Sequence, residues 1–198
     1  MTQRPTRRDL LMAAALAAGG LGFAETALAQ QGLQPTPDCK DGDDDPTVAQ
    51  TEGPFFKPNS PLRADLREPG LGGRPVVLTG FVLTRRCRPI PRAVVDLWHA
   101  DDKGEYDEQG FRYRGHVLTD AEGRYQFRTI MPALYPGRTR HYHVKVAVPG
   151  RGLLTTQLYF PNEPANMRDG LFQRALLMRV AESGEELAAQ FSFVLDVA

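Results

Sequence analysis

The sequence predicts an all-β protein, a single-domain β-sandwich with an irregular N-terminal arm. Three observations predict this fold. Short segments rich in β-branched and aromatic residues follow one another from residue 75 to the end of the chain. Several of these segments alternate apolar and polar residues, which is the period of a half-buried strand. Glycine, proline and aspartate residues separate the segments and favour turns between them.

Residues 1–29 predict a removable export leader. Arg7 and Arg8 precede a short apolar run from Leu10 to Ala24, and small residues surround Ala29. Paired arginines, a short apolar run and small residues before a cleavage site are typical of a twin-arginine signal peptide. The run is too short and too rich in alanine and glycine for a stable membrane anchor. We therefore expect cleavage after Ala29 and a periplasmic or secreted protein.

Residues 30–74 predict an extended arm, because they are rich in proline, glycine and aspartate and show no helical period. The arm holds Cys39, and the only other cysteine is Cys87. An oxidising compartment favours a disulfide between them. The bridge would close a loop of about 49 residues and stabilise the fold by roughly 4 kcal/mol in the chain-entropy model. Two unpaired thiols are the alternative.

The charge balance gives no reason to expect nucleic acid or an anionic membrane as a partner. The chain has 24 basic and 24 acidic side chains, and residues 1–29 hold three arginines, one aspartate and one glutamate. The exported part therefore carries 21 basic and 22 acidic groups, a net charge of about −1. A homo-oligomer is left open by these numbers.

The strands are predicted in chain order from residue 75. The segment "PVVLTGFVLT" is rich in β-branched residues, and "AVVDLWHA" is apolar on both faces. In "TDAEGRYQFRT" a turn at Ala121–Gly123 precedes an alternation that puts Tyr125 and Phe127 on one face. The segment "HYHVKVAV" alternates cleanly, and "LLTTQLYF" returns after the turn "PGRG". Short strands with frequent turns indicate a sandwich of the transthyretin or immunoglobulin type.

The last 26 residues complete the predicted domain, which spans residues 75–198. The segment "QRALLMRVAESGEELAAQ" is the one stretch whose composition allows a short helix. The segment "QFSFVLDV" closes the sandwich as a strand. Its alternation predicts four apolar residues on the buried face, namely Phe191, Phe193, Leu195 and Val197.

His141 and His143 share one face of the strand "HYHVKVAV", because residues i and i+2 of a strand point to the same side, roughly 6.6–6.8 Å apart along the backbone. The opposite face carries Tyr142 and three valines, so the histidines are not needed for packing. Imidazole nitrogens bind metals at about 2.0–2.1 Å, and two rings at this spacing can converge on one ion. The spacing alone is unspecific, and a polar face of an exposed strand explains it equally well.

Two tyrosines lie near the histidines in sequence, Tyr106 in "KGEYDEQG" and Tyr135 in "MPALYPGRTRHYH". A tyrosine ligand must be ionised, which costs about 4 kcal/mol at pH 7 from a reference pKa near 10. A divalent ion rarely offsets that cost twice, whereas a hard Fe(III) ion can. Taken singly, each tyrosine is explained as an ordinary loop aromatic.

The whole run is familiar. The segments "WHADDKGEY", "TDAEGRYQFRTI", "YPGRTRHYH" and "TQLYF", in this order, resemble the intradiol ring-cleavage dioxygenases, which include catechol 1,2-dioxygenase and protocatechuate 3,4-dioxygenase. The resemblance covers about residues 51–196. The arm is too short to hold the long helical dimerisation segment of the catechol enzymes, so the chain looks like a compact exported member of the family.

The resemblance implies a catalytic domain that holds a non-haem Fe(III) ion. The family's ligand positions fall on Tyr106, Tyr135, His141 and His143, with a hydroxide as fifth ligand. A catechol chelates as a dianion and displaces Tyr135 and the hydroxide, which take up its two protons. The ring is then cleaved with O₂ to a muconate-type diacid. The implied partners are thus a small catecholic substrate and O₂.

Three further residues are assigned by the same resemblance. Arg138 matches an arginine that stabilises carbanion character on the bound substrate, and Gln157 matches a glutamine beside the iron pocket. Pro54 belongs to "TEGPFF", which looks like the Gly-Pro-aromatic segment that the family lays beside its active site. Two alternatives stay open: a transthyretin-like binding module without catalysis, and a zinc or copper enzyme that uses His141 and His143.

Overall fold

The computed structural model describes Cys39, residues 45–70 and residues 72–197. The leader predicted for residues 1–29 lies outside the described residues, as does most of the arm before residue 45. The strands of the described part are β1 Pro75–Thr84, β2 Val94–Trp98, β3 Arg114–Leu118, β4 Arg124–Ile130, β5 His141–Val148, β6 Gly152–Tyr159, β7 Arg179–Ser183, β8 Glu186–Gln190 and β9 Phe193–Leu195. Two 3-10 turns, Pro164–Met167 and Arg174–Leu176, complete the list. Among the described residues, no helix is long and apolar enough to cross a membrane.

The strands form two sheets, which confirms the predicted all-β sandwich. One sheet has four antiparallel strands in the order β3-β2-β5-β6. The other sheet has the order β4-β1-β8-β7, and β9 pairs with the C-terminal end of β1. β1 runs parallel to β8 and to β9, so the chain crosses between sheets before it returns. The apolar faces of both sheets meet in one hydrophobic core.

The alternation predicted for β5 and β4 is confirmed. Tyr142, Val144 and Val146 of β5 are no more than 1% exposed and belong to the core. Tyr125 and Phe127 of β4 pack in the same core. The opposite face of β5 is buried at its beginning as well, because other parts of the chain cover it there. A polar face on an exposed strand therefore does not describe the two histidines.

The helix predicted within residues 173–190 is wrong. The only helical piece there is the three-residue turn Arg174–Leu176, and the remainder forms the hairpin of β7 and β8. Leucine, alanine, glutamate and glutamine favour a helix locally. Pairing of β8 with β1 outweighs that preference, because it places Leu187 and Ala189 in the core. Gly184, at a φ of +63°, makes the tight connection between the two strands.

The closing strand departs from the predicted alternation, since Ser192 and Val194 are also fully buried. The described end of the arm covers them. Thr47 and Val194 exchange hydrogen bonds of 2.9 Å, between the Thr47 N–H and the Val194 carbonyl and between the Val194 N–H and the Thr47 hydroxyl. A disulfide joins Cys39 and Cys87, with Cα atoms 5.5 Å apart. The arm is thus fastened to the five-stranded sheet.

The arm also crosses the outer face of the four-stranded sheet. The Gln50 N–H donates to the Thr155 carbonyl of β6 at 2.8 Å. Farther along, Leu62 forms a parallel bridge with His116 of β3, and Leu66 is fully buried. Residues 51–56 therefore pass directly above the beginning of β5. This passage buries the side chains of that strand which point away from the core.

Candidate metal centre

The first residues of β5 place two histidines at one end of the four-stranded sheet, on an interior strand. His143 lies opposite Trp98 of β2 and Gln157 of β6, and His141 lies opposite Tyr159. The indole of Trp98 stacks on the His143 ring, with centroids 5.1 Å apart and planes 7° from parallel. Neighbouring strands thus fix both imidazoles on one face of the sheet.

Three donor atoms converge at this position. The Nε2 atoms of His141 and His143 are 3.1 Å apart, and the hydroxyl of Tyr106 lies 3.3 Å from Nε2 of His141. Nitrogen or oxygen ligands lie about 2.0–2.2 Å from a metal, so neighbouring ligands of one ion are roughly 3 Å apart. Both histidines are at most 4% exposed. The three atoms therefore have the spacing of ligands that share an ion.

Both histidines are neutral, and His141 presents a lone pair to the centre. Nδ1 of His141 donates to the Thr139 carbonyl at 2.6 Å, which leaves Nε2 as the acceptor. Burial lowers the pKa of His141 to about 4 and lowers the pKa of His143 well below its usual value. Nδ1 of His143 is buried without a hydrogen-bond partner among the described residues. Neutral imidazole is the form that binds metal ions.

Two loops bring the tyrosines to the histidines. The rings of Tyr106 and Tyr135 meet edge to face with centroids 6.0 Å apart. Phe55 of the arm stacks on Tyr106 at 4.4 Å and contacts the edge of Tyr135 at 5.6 Å. Burial raises the pKa of Tyr106 well above its usual value, although the charges of Arg138 and Arg114 oppose the rise. Ionising this phenol therefore requires a strongly positive partner.

The two tyrosine loops are locked together by backbone contacts. The Asp101 carboxylate accepts the N–H of Lys103 at 2.8 Å and closes the first loop. The Asp101 carbonyl accepts the N–H of Ala133 in the second loop at 2.9 Å. Gly104 has a φ of +86°, and a Cβ there would lie 2.4 Å from the Leu134 carbonyl oxygen. Only glycine permits this close approach.

The donor set fits a ferric ion. Within the described residues, no three histidine, cysteine, aspartate or glutamate side chains form a metal-binding group. A metal held at the two histidines would therefore depend on the phenols of Tyr106 and Tyr135. Ionised oxygen donors of this kind suit a hard ion of high charge, and neutral imidazoles complete the set.

Arg138, Gln157 and Pro54 lie around the same centre. Nη2 of Arg138 donates to Oε1 of Gln157 at 2.6 Å, and Nε2 of Gln157 donates to the Thr51 carbonyl at 3.0 Å. Pro54 is exposed and stands between Phe55 and Gly53, whose α-carbon faces the His143 ring. The structure thus brings the two tyrosines, the two histidines, Arg138 and Gln157 together, and Pro54 lies on the arm segment beside them.

Two charged residues at the centre were missed by sequence reasoning. Asp169 accepts hydrogen bonds from Nε of Arg138, the nearer at 2.9 Å. Arg114 is 2% exposed and donates to the carbonyls of Phe55 at 2.6 Å and Asp107 at 3.1 Å, so it joins the arm to the Tyr106 loop. The sequence marks Asp169 only as part of an Asp-Gly turn. Arg114 begins an ordinary strand and carries no signal of its own.

Comparison with known proteins places the chain among dioxygenases. A family model described as Dioxygenase matches residues 51–197. The chain is 31% identical over 153 residues to hydroxyquinol 1,2-dioxygenase of Nocardioides simplex, covering 65% of this chain and 52% of the relative. It is 32% identical over 152 residues to the protocatechuate 3,4-dioxygenase β chain of Burkholderia cepacia, covering 62% and 65%. It thus spans between about half and two thirds of these relatives.

Solved structures agree. The dioxygenase domain of a dioxygenase–carbohydrate-binding protein fusion from the cellulolytic bacterium Streptomyces sp. SirexAA-E superimposes with a TM-score of 0.76. It is 52% identical in sequence, and the match covers 78% of this chain and all of that domain. The 3-chlorocatechol 1,2-dioxygenase of Rhodococcus opacus 1CP gives a TM-score of 0.72 at 26% identity, with 77% and 73% of the two chains covered.

Proposed function

The chain belongs to the intradiol ring-cleavage dioxygenase family, and we propose that it is a non-haem Fe(III) enzyme that cleaves a catechol with O₂ to a muconate-type diacid. One observation carries the proposal. The Nε2 atoms of His141 and His143 are 3.1 Å apart, and the hydroxyl of Tyr106 is 3.3 Å from Nε2 of His141. The ring of Tyr135 lies beside that of Tyr106.

The four side chains would hold Fe(III) through Nε2 of His141 and His143 and the phenolate oxygens of Tyr106 and Tyr135. Bound there, the ion supplies a Lewis-acidic centre that holds a catechol as a dianion and makes its ring reactive toward O₂. Two phenolates and one hydroxide balance the +3 charge. A neutral centre suits a site whose ligands are buried, because an unbalanced charge there is costly.

The tyrosines have different tasks. Tyr106 is held between Phe55 and the histidines, so it stays in place when substrate enters. Tyr135 lies at the edge of this stack and is partly exposed. Its phenolate oxygen would accept one proton of the incoming catechol.

Arg138 supplies a positive charge beside the substrate ring. Its guanidinium is held by Gln157 on one side, at 2.6 Å, and is 17% exposed in its side chain. A fixed cation in a partly buried site stabilises negative charge that develops on the ring carbons. Phe55 covers Tyr106 on the arm side, and Pro54 precedes it in the same segment.

Export through the twin-arginine route is part of the proposal. The paired Arg7 and Arg8 of the leader support it, and the disulfide between Cys39 and Cys87 is of the kind that persists in an oxidising compartment. Lysines in place of both arginines should retain the full-length chain in the cytoplasm. Fractionation of cells that produce the two forms tests this, and equal export of both would contradict the twin-arginine route.

The deciding experiment is the visible spectrum of the purified protein, with metal content measured on the same sample. We expect one iron per chain and a tyrosinate-to-Fe(III) charge-transfer band that shifts when a catechol is added without O₂. Admission of isotopically labelled O₂ should then place both labelled atoms in the diacid. A protein that stays colourless after iron reconstitution, or that binds only zinc or copper, would overturn the assignment.

A further inference from the structure

Asp169 places a buried carboxylate directly behind Arg138. Its two oxygens accept from Nε of Arg138 at 3.1 and 2.9 Å. The Asp169 side chain is 2% exposed and that of Arg138 is 17% exposed. A buried pair of this kind is strongly coupled, because removal of one partner leaves the other charge uncompensated.

The same carboxylate is fixed by the backbone around it. The N–H of Thr139 donates to Oδ2 at 2.9 Å, and the N–H of Leu171 donates to Oδ1 at 2.9 Å. These bonds and the arginine hold the pKa of Asp169 below its usual value, although burial alone would raise it. Asp169 is therefore an anion that hydrogen bonds hold in place. It lies between the loop that carries Arg138 and the turn that follows β6.

The bonds of Arg138 to its neighbours engage two of the three guanidinium nitrogens. Nε is engaged by Asp169, and Nη2 donates to Gln157 at 2.6 Å. Nη1 is the remaining nitrogen. A guanidinium is planar, so two anchored nitrogens fix the direction of the third. Without Asp169 the guanidinium would keep only its contacts with Gln157 and Tyr159 and could rotate about them.

We propose that Asp169 is a positioning residue for ring cleavage: it orients Arg138 so that its charge meets the carbanion character of the bound substrate. This inference rests on the proposed function. Arg138 acts on charge that develops during the reaction, so its misplacement lowers kcat more than it weakens substrate binding. A misplaced group of this kind costs on the order of 100-fold in rate.

Asp169→Asn tests the inference, because asparagine keeps a side-chain oxygen for the backbone N–H groups and loses the charge. We expect kcat to fall about 100-fold and KM for catechol to change less than about three-fold. Asp120→Asn is a matched control. Asp120 also caps a turn, accepting from Glu122 and Arg124 N–H groups, and pairs with the Arg124 guanidinium, but on an exposed turn. Its substitution should leave kcat unchanged.

A double-mutant cycle separates positioning from a merely structural role. If Asp169 acts through Arg138, then adding Asp169→Asn to Arg138→Gln should change kcat by less than about three-fold. A further drop of about 100-fold, as large as in the otherwise unaltered protein, would overturn the inference. Asp169→Glu should recover part of the lost rate, because it restores a carboxylate that can still reach Arg138.

A measurement on the iron-free protein is independent of activity. The Nε–H of Arg138 should give a protected proton–nitrogen NMR signal, identified by its loss in Arg138→Lys. The signal should vanish in Asp169→Asn and stay in Asp120→Asn. Persistence in Asp169→Asn would overturn the inference, whatever the activity. Absence of ring cleavage in the unaltered iron-loaded protein would instead overturn the proposed function, with the NMR result still reporting the pairing.

Discussion

The structure buries histidines in two pockets: the first holds His99, and the second holds His141 and His143 of the metal centre. The two pockets differ in one respect, which indicates a structural role for the first and a chemical role for the second. His99 follows β2 and is 1% exposed, much like His141 and His143. Burial lowers the pKa of His99 to about 4, as it does that of His141. Residue type, burial and protonation state are therefore the same in both pockets. None of these properties identifies the site.

The difference lies in where the ring nitrogens point. His99 is satisfied by the protein on both sides: Nδ1 meets the Ala100 carbonyl at 2.7 Å, and Nε2 meets the hydroxyl of Thr129 at 2.6 Å. In the other pocket the Nε2 atoms of His141 and His143 point at each other. Nε2 of His141 is an acceptor, because Nδ1 of the same ring donates to the Thr139 carbonyl, and Nδ1 of His143 has no hydrogen-bond partner among the described residues. Under the proposed function, the ring nitrogens of the metal centre bind an ion, whereas those of His99 bind only the protein.

The largest expected effect is the loss of metal from the second pocket. Tyr106→Phe removes one converging donor, so we expect loss of the charge-transfer band and of ring cleavage, with the sandwich intact. Tyr113→Phe is a matched control, because the Tyr113 hydroxyl is buried near His99 without a hydrogen-bond partner in the described part of the chain. Its removal should leave metal content and stability nearly unchanged. Metal analysis and thermal unfolding of both variants decide the matter, and normal iron in Tyr106→Phe would refute the ligand assignment.

The second prediction concerns the first pocket. His99→Ala leaves the Thr129 hydroxyl and the Ala100 carbonyl unpaired and opens a cavity, so the free energy of unfolding should fall by about 2–4 kcal/mol. The metal centre should still bind iron, because His99 contributes no atom to it. Urea unfolding of the iron-free protein measures the cost, and metal analysis after reconstitution provides the contrast. If His99→Ala kept full stability and lost iron, His99 would serve the metal centre and not the stability of the fold, which would contradict the prediction.

The alternation of β5 could be read from sequence because it is a local pattern. Tyr142, Val144 and Val146 face the core as their period of two requires. The depth of His141 and His143 could not be read in this way, since the arm that covers them lies more than 80 residues earlier in the chain. Resemblance to a family indicated four candidate ligands. The structure brings the Nε2 atoms of both histidines and the Tyr106 hydroxyl together, with the ring of Tyr135 beside them.

The failures have a common physical cause. The segment from residue 173 to residue 190 has helix-forming residues, yet β8 pairs with β1, about 110 residues away in the chain. Asp169 lies in a turn signal and acquires its role only when the loop of Arg138 packs against it. Both depend on contacts between distant segments, which no local pattern encodes.

The third prediction uses the pH dependence of the first pocket. The pKa of His99 is lowered from 6.5 to about 4 in the folded state, so below pH 6.5 the unfolded chain takes up a proton that the folded chain does not. The contribution of His99 to stability is therefore lost as pH falls from 6.5 toward 4, by about 2 kcal/mol at pH 5. His99→Gln removes the titrating group.

Urea unfolding of the iron-free protein at pH 7 and pH 5 measures this term. The stability lost between the two pH values should be smaller in His99→Gln than in the unaltered protein by about 2 kcal/mol. His141 and His143 titrate in both proteins and cancel in the difference. Equal losses would mean that His99 is not held neutral by its burial.

The smallest effect is expected where the arm meets the second pocket. Gly53 has a φ of +71°, and a Cβ there would lie 3.1 Å from Cε1 of His143. Gly150 has a φ of +72° with nothing within 4 Å of its Cβ position, so it shares the backbone cost without the neighbour. Gly53→Ala and Gly150→Ala should each lose about 1 kcal/mol of stability, because alanine resists the left-handed region.

Only Gly53→Ala should also shift the charge-transfer band and weaken catechol binding a few-fold, since His143 must give way by a few tenths of an ångström. If the band moved equally in both variants, or in neither, the arm would not be in contact with a metal ligand, and the second pocket would be closed by the sheet alone.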